Sequence, residues 1–510
     1  MTRFKNCFSK LMAVLLACLM LLGDCALIGA VAKVESVDGS DSLVRTSLDE
    51  IEKLLTSDAY SSYLNLYQNE ANKGTDLYIK DADKEINIDL SAYLEDMTTA
   101  TVNHKTEADN YENAGTDVLL MGDDGKITFK IDVPDTAMYS VYIEYWTGDI
   151  EVLGEDGSVV ATGKSADIER IIYFDDAVAF KESRSLSFTR AWKDVYTKIE
   201  DDNSKSYFDS VSDYFINFVR DQENMFADSD RLFPYDTNGN EAKPTKEIYG
   251  MWTSSFAYDT SGYYPEPLKY YLTKGEHTFT LETITEPMAI KSIVLKSAEK
   301  APSYEEYIKE HTEAGAKDYT GETLKIQAEY PVLTSDRTLY QINDRKSSVS
   351  EPQDSTLIRY NSIGANKWQY VGQWIEYTIH VTEPGFYNII PRSKQEEFMG
   401  SFVSRKILIN GELPFEEANN LRFNYSTSWR TDILNNGETN FKFYLPAGDH
   451  TIRFQVVLGD MSDILGRVSD SLSNLNEYYR KILMISYAPA REMFSTLATS
   501  GTDSISGSSS

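Results

Sequence analysis

The sequence predicts a mainly β chain of two β-sandwich domains with helical insertions. Three observations predict this. Apolar and polar residues alternate over short runs, as in Ile127-Thr128-Phe129-Lys130-Ile131-Asp132-Val133 and Tyr139-Ser140-Val141-Tyr142-Ile143-Glu144-Tyr145. Period-two alternation marks strands with one buried face. Two stretches of this texture match each other at a distance along the chain. In three other places apolar residues instead fall at helical spacing.

The first 32 residues read as an export signal. Arg3, Lys5 and Lys10 precede an apolar run over 11–22, and Ala30 and Ala32 supply the small residues of a cleavage site. The run is short for a membrane span, which needs about 20 residues, and Asp24 interrupts it. Leu15-Leu16-Ala17-Cys18 has the form of a lipidation box, but apolar residues continue past Cys18, so plain cleavage after Ala32 is the expectation. The three cysteines, Cys7, Cys18 and Cys25, all lie in this segment. A processed chain would carry no disulfide, thiolate nucleophile or cysteine metal site. The expected location is secreted or cell-surface.

A helical segment is expected over 33–75, with Leu48, Ile51, Leu54 and Leu55 at helix spacing. The first sandwich spans 76–300. Within it a helical insertion over about 190–245 is read from Val211, Tyr214, Phe215, Phe218 and Val219. Residues 301–323 read as a linker and 324–488 as the second sandwich. A late helix over 461–481 carries the stripe Ile464, Leu465, Val468, Leu472 and Leu475. Residues 482–487 would close the domain as a strand, and the Ser/Gly/Thr-rich tail 489–510 reads as disordered.

The repeat rests on two blocks. Phe129, Ile131, Val133 and Tyr139 match Tyr377, Ile379, Val381 and Tyr387 at a constant offset of 248 residues. Leu272-Thr273-Lys274-Gly275-Glu276-His277-Thr278-Phe279 matches Leu445-Pro446-Ala447-Gly448-Asp449-His450-Thr451-Ile452 at an offset of 173. The first copy therefore holds 75 more residues between the blocks, which is the insertion.

The chain has 80 acidic and 49 basic residues and a net charge of −31. Such a surface repels phosphate backbones, so nucleic acid is excluded as a partner. Five histidines are present, none at metal-ligand spacing, and there is no nucleophile elbow or phosphate-binding loop. His277 and His450 sit at equivalent turn positions and read as structural. Asp236-Thr237-Asn238-Gly239-Asn240-Glu241 spaces oxygens as a calcium loop does, but Glu241 stands where that loop needs Gly, and a plain Asn-Gly turn is expected. No enzyme is read here, although counting acids does not dispose of a glycosidase pair.

The second repeat resembles carbohydrate-binding modules of the galactose-binding jelly-roll type, families 6 and 35. The resemblance rests on Ile326-Gln327-Ala328-Glu329 as a first strand, Gly372-Gln373-Trp374-Ile375-Glu376-Tyr377 as a core strand, the turn Pro384-Gly385-Phe386-Tyr387, and the late block from Leu445 to Phe454. It implies non-catalytic binding of a polysaccharide or oligosaccharide between loop aromatics. Trp368 and Tyr370 precede the core strand, and Trp429 and Tyr425 lie in what reads as a loop. Asn366, Arg430 and Asn435 would bond hydroxyls, while Trp374 reads as core. In the first copy Trp252 and Tyr263 take the place of the Trp429 loop. The resemblance also places a structural Ca2+ at Glu329, but Lys481-Ile482-Leu483-Met484-Ile485 lacks the usual partner acid. The whole is similar to the N-terminal region of large extracellular solute-binding proteins of Gram-positive sugar importers. That similarity rests on Phe188-Thr189-Arg190-Ala191-Trp192-Lys193, Gly262-Tyr263-Tyr264-Pro265-Glu266-Pro267 and Leu458-Gly459-Asp460-Met461-Ser462-Asp463-Ile464-Leu465, and it implies components of an ABC importer as partners. The alternatives are a scaffold for protein contacts and, behind it, a glycoside hydrolase.

Overall fold

The computed structural model describes residues 59–105, 117–154, 156–195, 233–234, 236–347, 350–476 and 478–480. The chain is mainly β and its sheets are antiparallel. The first sandwich has one sheet in the order Trp252–Phe256, Ala137–Trp146, Met288–Lys296, Val118–Met121, Val102–Lys105. Lys269–Leu272 also pairs with Ala137–Trp146, and Ile86–Asn87 with Met288–Lys296. The facing sheet runs Lys126–Val133, Gly275–Thr285, Ile168–Phe174, Leu186–Phe188. Alternation decides which faces meet: Phe129, Ile131, Tyr139, Ile143, Phe279 and Ile293 are all buried in one core.

The two sandwiches repeat one register. Ile131 pairs with His277 in the first, and Ile379 with His450 in the second. Tyr139 pairs with Tyr270, and Tyr387 with Phe443. Both late strands begin at a glycine in the left-handed region, Gly275 at φ 129° and Gly448 at φ 130°, with open space where a side chain would sit. The histidines close equivalent turns: His277 Nε2 lies 2.9 Å from the Thr273 carbonyl, and His450 Nε2 lies 2.8 Å from the Pro446 carbonyl.

A helix precedes each sandwich and belongs to the repeat. In Tyr60–Tyr67, the Tyr60 and Tyr63 hydroxyls accept from the Lys269 and Tyr271 N–H groups at 3.0 and 2.7 Å. In Tyr304–Glu313, the Tyr304 and Tyr307 hydroxyls accept from the Lys442 and Tyr444 N–H groups at 3.0 and 2.8 Å. The expected linker 301–323 is thus not a linker. Its helix has a Ser303–Glu306 capping box and buries Tyr307 in the second core.

The second sandwich departs from expectation at its edge. Its seven-stranded sheet runs Thr245–Ile248, Trp192–Val195, Leu333–Thr334, Trp374–Val381, Gly448–Val457, Phe402–Ile409, Leu421–Asn424. The first two strands come from the excursion out of the first sandwich. The helical insertion was expected from about 190 to 245, but its two ends form a β-ribbon instead, and 196–232 lie outside the described residues. The physical reason is charge: Asp194 and Lys246 pair at 2.7 Å with side chains 0% and 2% exposed, where a helical reading would put both in water. Residues 326–329 form no strand, and the first strand of this repeat is Leu333–Thr334. The expected tail and closing strand, together with most of the segment 33–75, lie outside the described residues. The late helix covers 461–476 and 478–480 and returns to the first sandwich, where Asp470 accepts from Ser61, Lys181 and Tyr264.

Between the sandwiches, Trp374 packs with Ala191 and Leu333, and Val371 lies against Gly262. Lys406 sits here too, its ammonium 5.6 Å from the Tyr258 ring. Burial, reinforced by Arg453, pushes its amine down to about 8. The folded value lies below the unfolded one near 10.4, so the unfolded chain binds more protons between those values and stability rises with pH across that window. Lys406→Met should therefore raise the unfolding free energy at pH 7 by about 2 kcal/mol after discounting for partial exposure, and the gain should vanish toward pH 10.5. Denaturant titrations at both pH values check this.

Candidate functional site

One end of the second sandwich gathers the residues of interest. Here Trp374–Val381 begins, Gly448–Val457 ends, Phe402–Ile409 begins and Leu421–Asn424 ends, as the pairs Trp374↔Gln455, Ser404↔Val457 and Phe402↔Asn424 require. The loops over 364–373, 396–401 and 424–426 therefore share this end.

The 364–373 loop is pinned rather than loose. Gly364 (φ 105°) lets the chain turn under Trp368, whose ring would lie 3.1 Å from any Cβ there. The Gln373 side chain accepts from the Gln369 and Tyr370 N–H groups, both at 3.0 Å, and donates to Asp336 at 2.8 Å. Trp368 Nε1 donates to the Gln373 carbonyl at 3.3 Å, and the Arg405 guanidinium lies 4.3 Å from the ring centre. Arg405 also donates to the Trp368 carbonyl at 3.1 Å, and burial pushes its guanidinium down to about 10. Tyr370 is left 65% exposed.

Trp429 lies in a strand, Ser426–Thr431, not in the expected loop. That strand pairs with Arg392–Gln395, whose hydrogen bonds order what reads as a serine-rich loop. Trp429 Nε1 donates to Asp344 at 2.8 Å, and Lys394 reaches the same oxygen at 2.9 Å, its ammonium 5.4 Å from the indole centre. Burial works to raise the Asp344 carboxyl. Hydrogen bonds from Lys394, the Lys346 N–H and Trp429 outweigh it and hold the group below the usual carboxylate range. The polar edge of Trp429 is thus spent within the protein, and only its ring is available to a ligand. The hairpin Gln341–Ile342/Ser362–Ile363 links the two tryptophans: Gly364 follows one strand against Trp368, and Asp344 follows the other to Trp429.

The remaining predicted residues divide. Asn366 is exposed on the turn Ala365–Lys367 beside Trp368, and the Tyr425 N–H donates to Ser401 at this same end. Arg430 is exposed and ion-paired to Asp432 at 2.7 Å, on the opposite face of its strand from Trp429. Asn435 uses its amide inside a turn, donating to the Ile433 carbonyl and accepting from Gly437. Trp252 lies in the strand Trp252–Phe256, packed edge-on against Trp146 with ring centres 5.4 Å apart, not in a loop. Tyr263 packs against Gly466 of the late helix. Neither belongs to the end described above.

Sequence reasoning missed Phe398 and Met399, 61% and 82% exposed on the 396–401 loop. Gln395 clasps that loop, accepting from the Phe398 N–H at 3.0 Å and donating to its carbonyl at 3.3 Å. The signal available was two bulky apolar residues between Glu397 and Gly400, outside any alternating run.

The first sandwich is closed where the second is open. Arg170 stands on the strand Ile168–Phe174 as Arg405 does on Phe402–Ile409, but it is wholly buried and donates to the Thr285 and Glu286 carbonyls at 2.8 and 2.9 Å. Arg190 closes over it, donating to Glu286 at 2.9 Å.

Among the described residues, no three His, Cys, Asp or Glu side chains converge as metal ligands. Glu329 is 1% exposed with a bare Oε1, and burial raises its carboxyl to about 8. Glu241, 3% exposed, also has a bare Oε1, and burial raises it to about 7. Bare buried oxygens of this kind fit an oxygen-seeking cation such as Ca2+.

No family model matches the sequence, and no curated protein does. Solved structures similar to parts of the chain include the following three. A family 35 carbohydrate-binding module from Clostridium thermocellum is 10% identical, over 43% of this chain and 97% of the module, with a TM-score of 0.18. The C-terminal family 6 module of a marine laminarinase from Zobellia galactanivorans is 11% identical, over 42% of this chain and 100% of the module, with a TM-score of 0.18. A Podospora anserina β-(1,4)-mannanase carrying a family 35 module is 12% identical over 44% of this chain, with a TM-score of 0.19, and the chain spans only 30% of that protein's length.

Proposed function

We propose that the chain is exported and binds carbohydrate without cleaving it, through the open end of the second sandwich. The single observation that carries this is the set of ring and apolar surfaces gathered there, with polar edges already bonded inside the protein. Trp368 is braced from below by Arg405, Tyr370 stands in solvent, and Phe398 and Met399 are exposed on another loop of the same end. A pyranose presents C–H faces that lie flat on such rings, while neighbouring polar groups take its hydroxyls. Asn366 stands beside Trp368 for that purpose. The first sandwich serves as support, because its equivalent end is filled by Arg170 and Arg190. The resemblance in the motifs of both repeats supports a role in capturing oligosaccharide or polysaccharide for a sugar ABC importer.

Affinity electrophoresis and calorimetry of the full chain against a panel of soluble glycans test this. Tyr370→Ala should cut affinity about tenfold and Trp368→Ala about thirtyfold, with unfolding of the exposed-site variant Tyr370→Ala unchanged. Binding that survives both substitutions, or no binding to any glycan, would sink the proposal. The second outcome would favour a protein-docking role, for which the late helix offers Ile464, Val468, Leu472 and Tyr479, each at least half exposed.

A further inference from the structure

The late helix packs on its own chain by its polar face. A surface helix ordinarily lays its apolar stripe on the core and keeps its polar face in water. Here the face toward the first sandwich is small and polar. Ser462 is buried, a side chain added at Gly466 would lie 3.2 Å from the Tyr263 Cβ, and Asp470 accepts from Ser61 at 2.6 Å and from Lys181 at 2.9 Å. The opposite face is apolar and stands in solvent: Ile464, Leu465, Val468, Leu472, Leu475 and Tyr479 are between 37% and 57% exposed. Among the described residues none of these six joins a hydrophobic core. Most of a helix's stability comes from covering such a stripe, so this one calls for a cover.

The spacing says what fits it. Leu465, Val468, Leu472, Leu475 and Tyr479 follow one another by alternate steps of three and four residues, the seam of a two-helix coiled coil. That seam is its own complement when the direction is reversed. Laid antiparallel on a second copy, Leu465 meets Leu475 and Val468 meets Leu472, so each layer is apolar. Charge is sorted to match. Asp463, Arg467, Asp470 and Arg480 all fall outside the seam and the two rows beside it, which carry Ser462, Ser469, Ser471 and Asn476 with Ile464 and Tyr478. A chain of net charge −31 repels a copy of itself, so an uncharged strip is where two copies can touch. The area is sufficient: the six exposed side chains on two copies would bury on the order of 1,200 Å², at the small end of specific interfaces.

We infer that the late helix is a dimerisation element, and that two copies of this chain join through antiparallel late helices, each copy's Val468 against the other's Leu472. The inference does not rest on the glycan reading, because none of the rings assigned to that reading lies in this helix.

Sedimentation equilibrium of the full chain tests this. The parent should be a dimer at about 50 μM and dissociate on dilution, as a small interface does. Added sodium chloride should tighten it, because salt screens the repulsion between two acidic bodies and the seam holds no ion pair to weaken. Leu472→Glu should weaken association at least about a hundredfold, and Val468→Glu should do the same, since each sets a charge into an apolar seam. Both positions are exposed in the single chain, so far-UV circular dichroism of either variant should match that of the diluted parent. Ser473→Glu adds the same charge at an exposed position off the seam and should leave the dimer intact. A parent that stays monomeric at about 50 μM overturns the inference and assigns the stripe to a cover within the chain or to an unrelated protein. A dimer that survives both Leu472→Glu and Val468→Glu overturns it as well, as does one lost equally in Ser473→Glu.

Discussion

Replacing Arg190 by alanine should unfold the first sandwich at markedly lower denaturant, a loss of about 3–5 kcal/mol. Its side chain is 1% exposed and donates to four groups: the Ala166 carbonyl at 2.5 Å, the Thr147 and Gly148 carbonyls at 3.1 and 2.9 Å, and Glu286 at 2.9 Å. Removing it takes the paired cation from a Glu286 carboxylate 5% exposed, which keeps the Lys164 N–H as a donor at 2.7 Å, and leaves three carbonyls that alanine cannot reach. Glu286 also holds a left-handed backbone conformation, φ 63°, which the Arg170 bond to its carbonyl helps fix. Arg190→Lys should recover little, since a single ammonium cannot span donors set out for a planar fork. Urea titrations of both variants check this, and an alanine variant within 1 kcal/mol of the parent would refute it.

The second large effect is expected at the junction of the sandwiches. Lys246→Met should cost about 3–5 kcal/mol, because it removes the Lys246 ammonium from the buried Asp194 carboxylate, a side chain 0% exposed. Gln341 still donates to that carboxylate at 2.6 Å, which is not enough to balance a buried charge. Adding Asp194→Asn to Lys246→Met should restore at least half of the loss, since the amide neutralises the site and still accepts from Gln341. A double variant no better than the single one would show that the pair itself is not what stabilises the ribbon.

These two sites show where sequence reasoning reached and where it stopped. The repeat was legible because it is local. Alternation at Phe129-x-Ile131-x-Val133 and Tyr377-x-Ile379-x-Val381 sets faces, and Gly275 and Gly448 set the turns, so the observed registers follow. Even so, the matching Tyr60/Tyr63 and Tyr304/Tyr307 pairs escaped notice, because what identifies them is hydroxyls meeting strand N–H groups some 137–209 residues away. Trp192–Val195 was illegible for another reason. A charge in mid-chain reads as solvent-facing until its partner is known, and Lys246 lies far along the sequence. Of the open end, Trp368 and Tyr370 were legible from their place before the core strand. Trp429 was assigned to a loop because the resemblance puts a tryptophan-bearing loop there, and the pairing with Arg392–Gln395, distant in sequence, makes the segment a strand. Phe398 and Met399 carry no periodic signal, and their place at this end comes from topology alone.

One rung of the second sandwich's ladder belongs to the first. Modules strung on flexible cords can be shuffled, duplicated or lost singly, because nothing but the cord is cut. Here a split anywhere between Val195 and Leu333 would bare the hydrogen-bonding margin of Leu333–Thr334 and leave an adhesive border for a stranger's strand. The pair must therefore be inherited and degraded as a single piece.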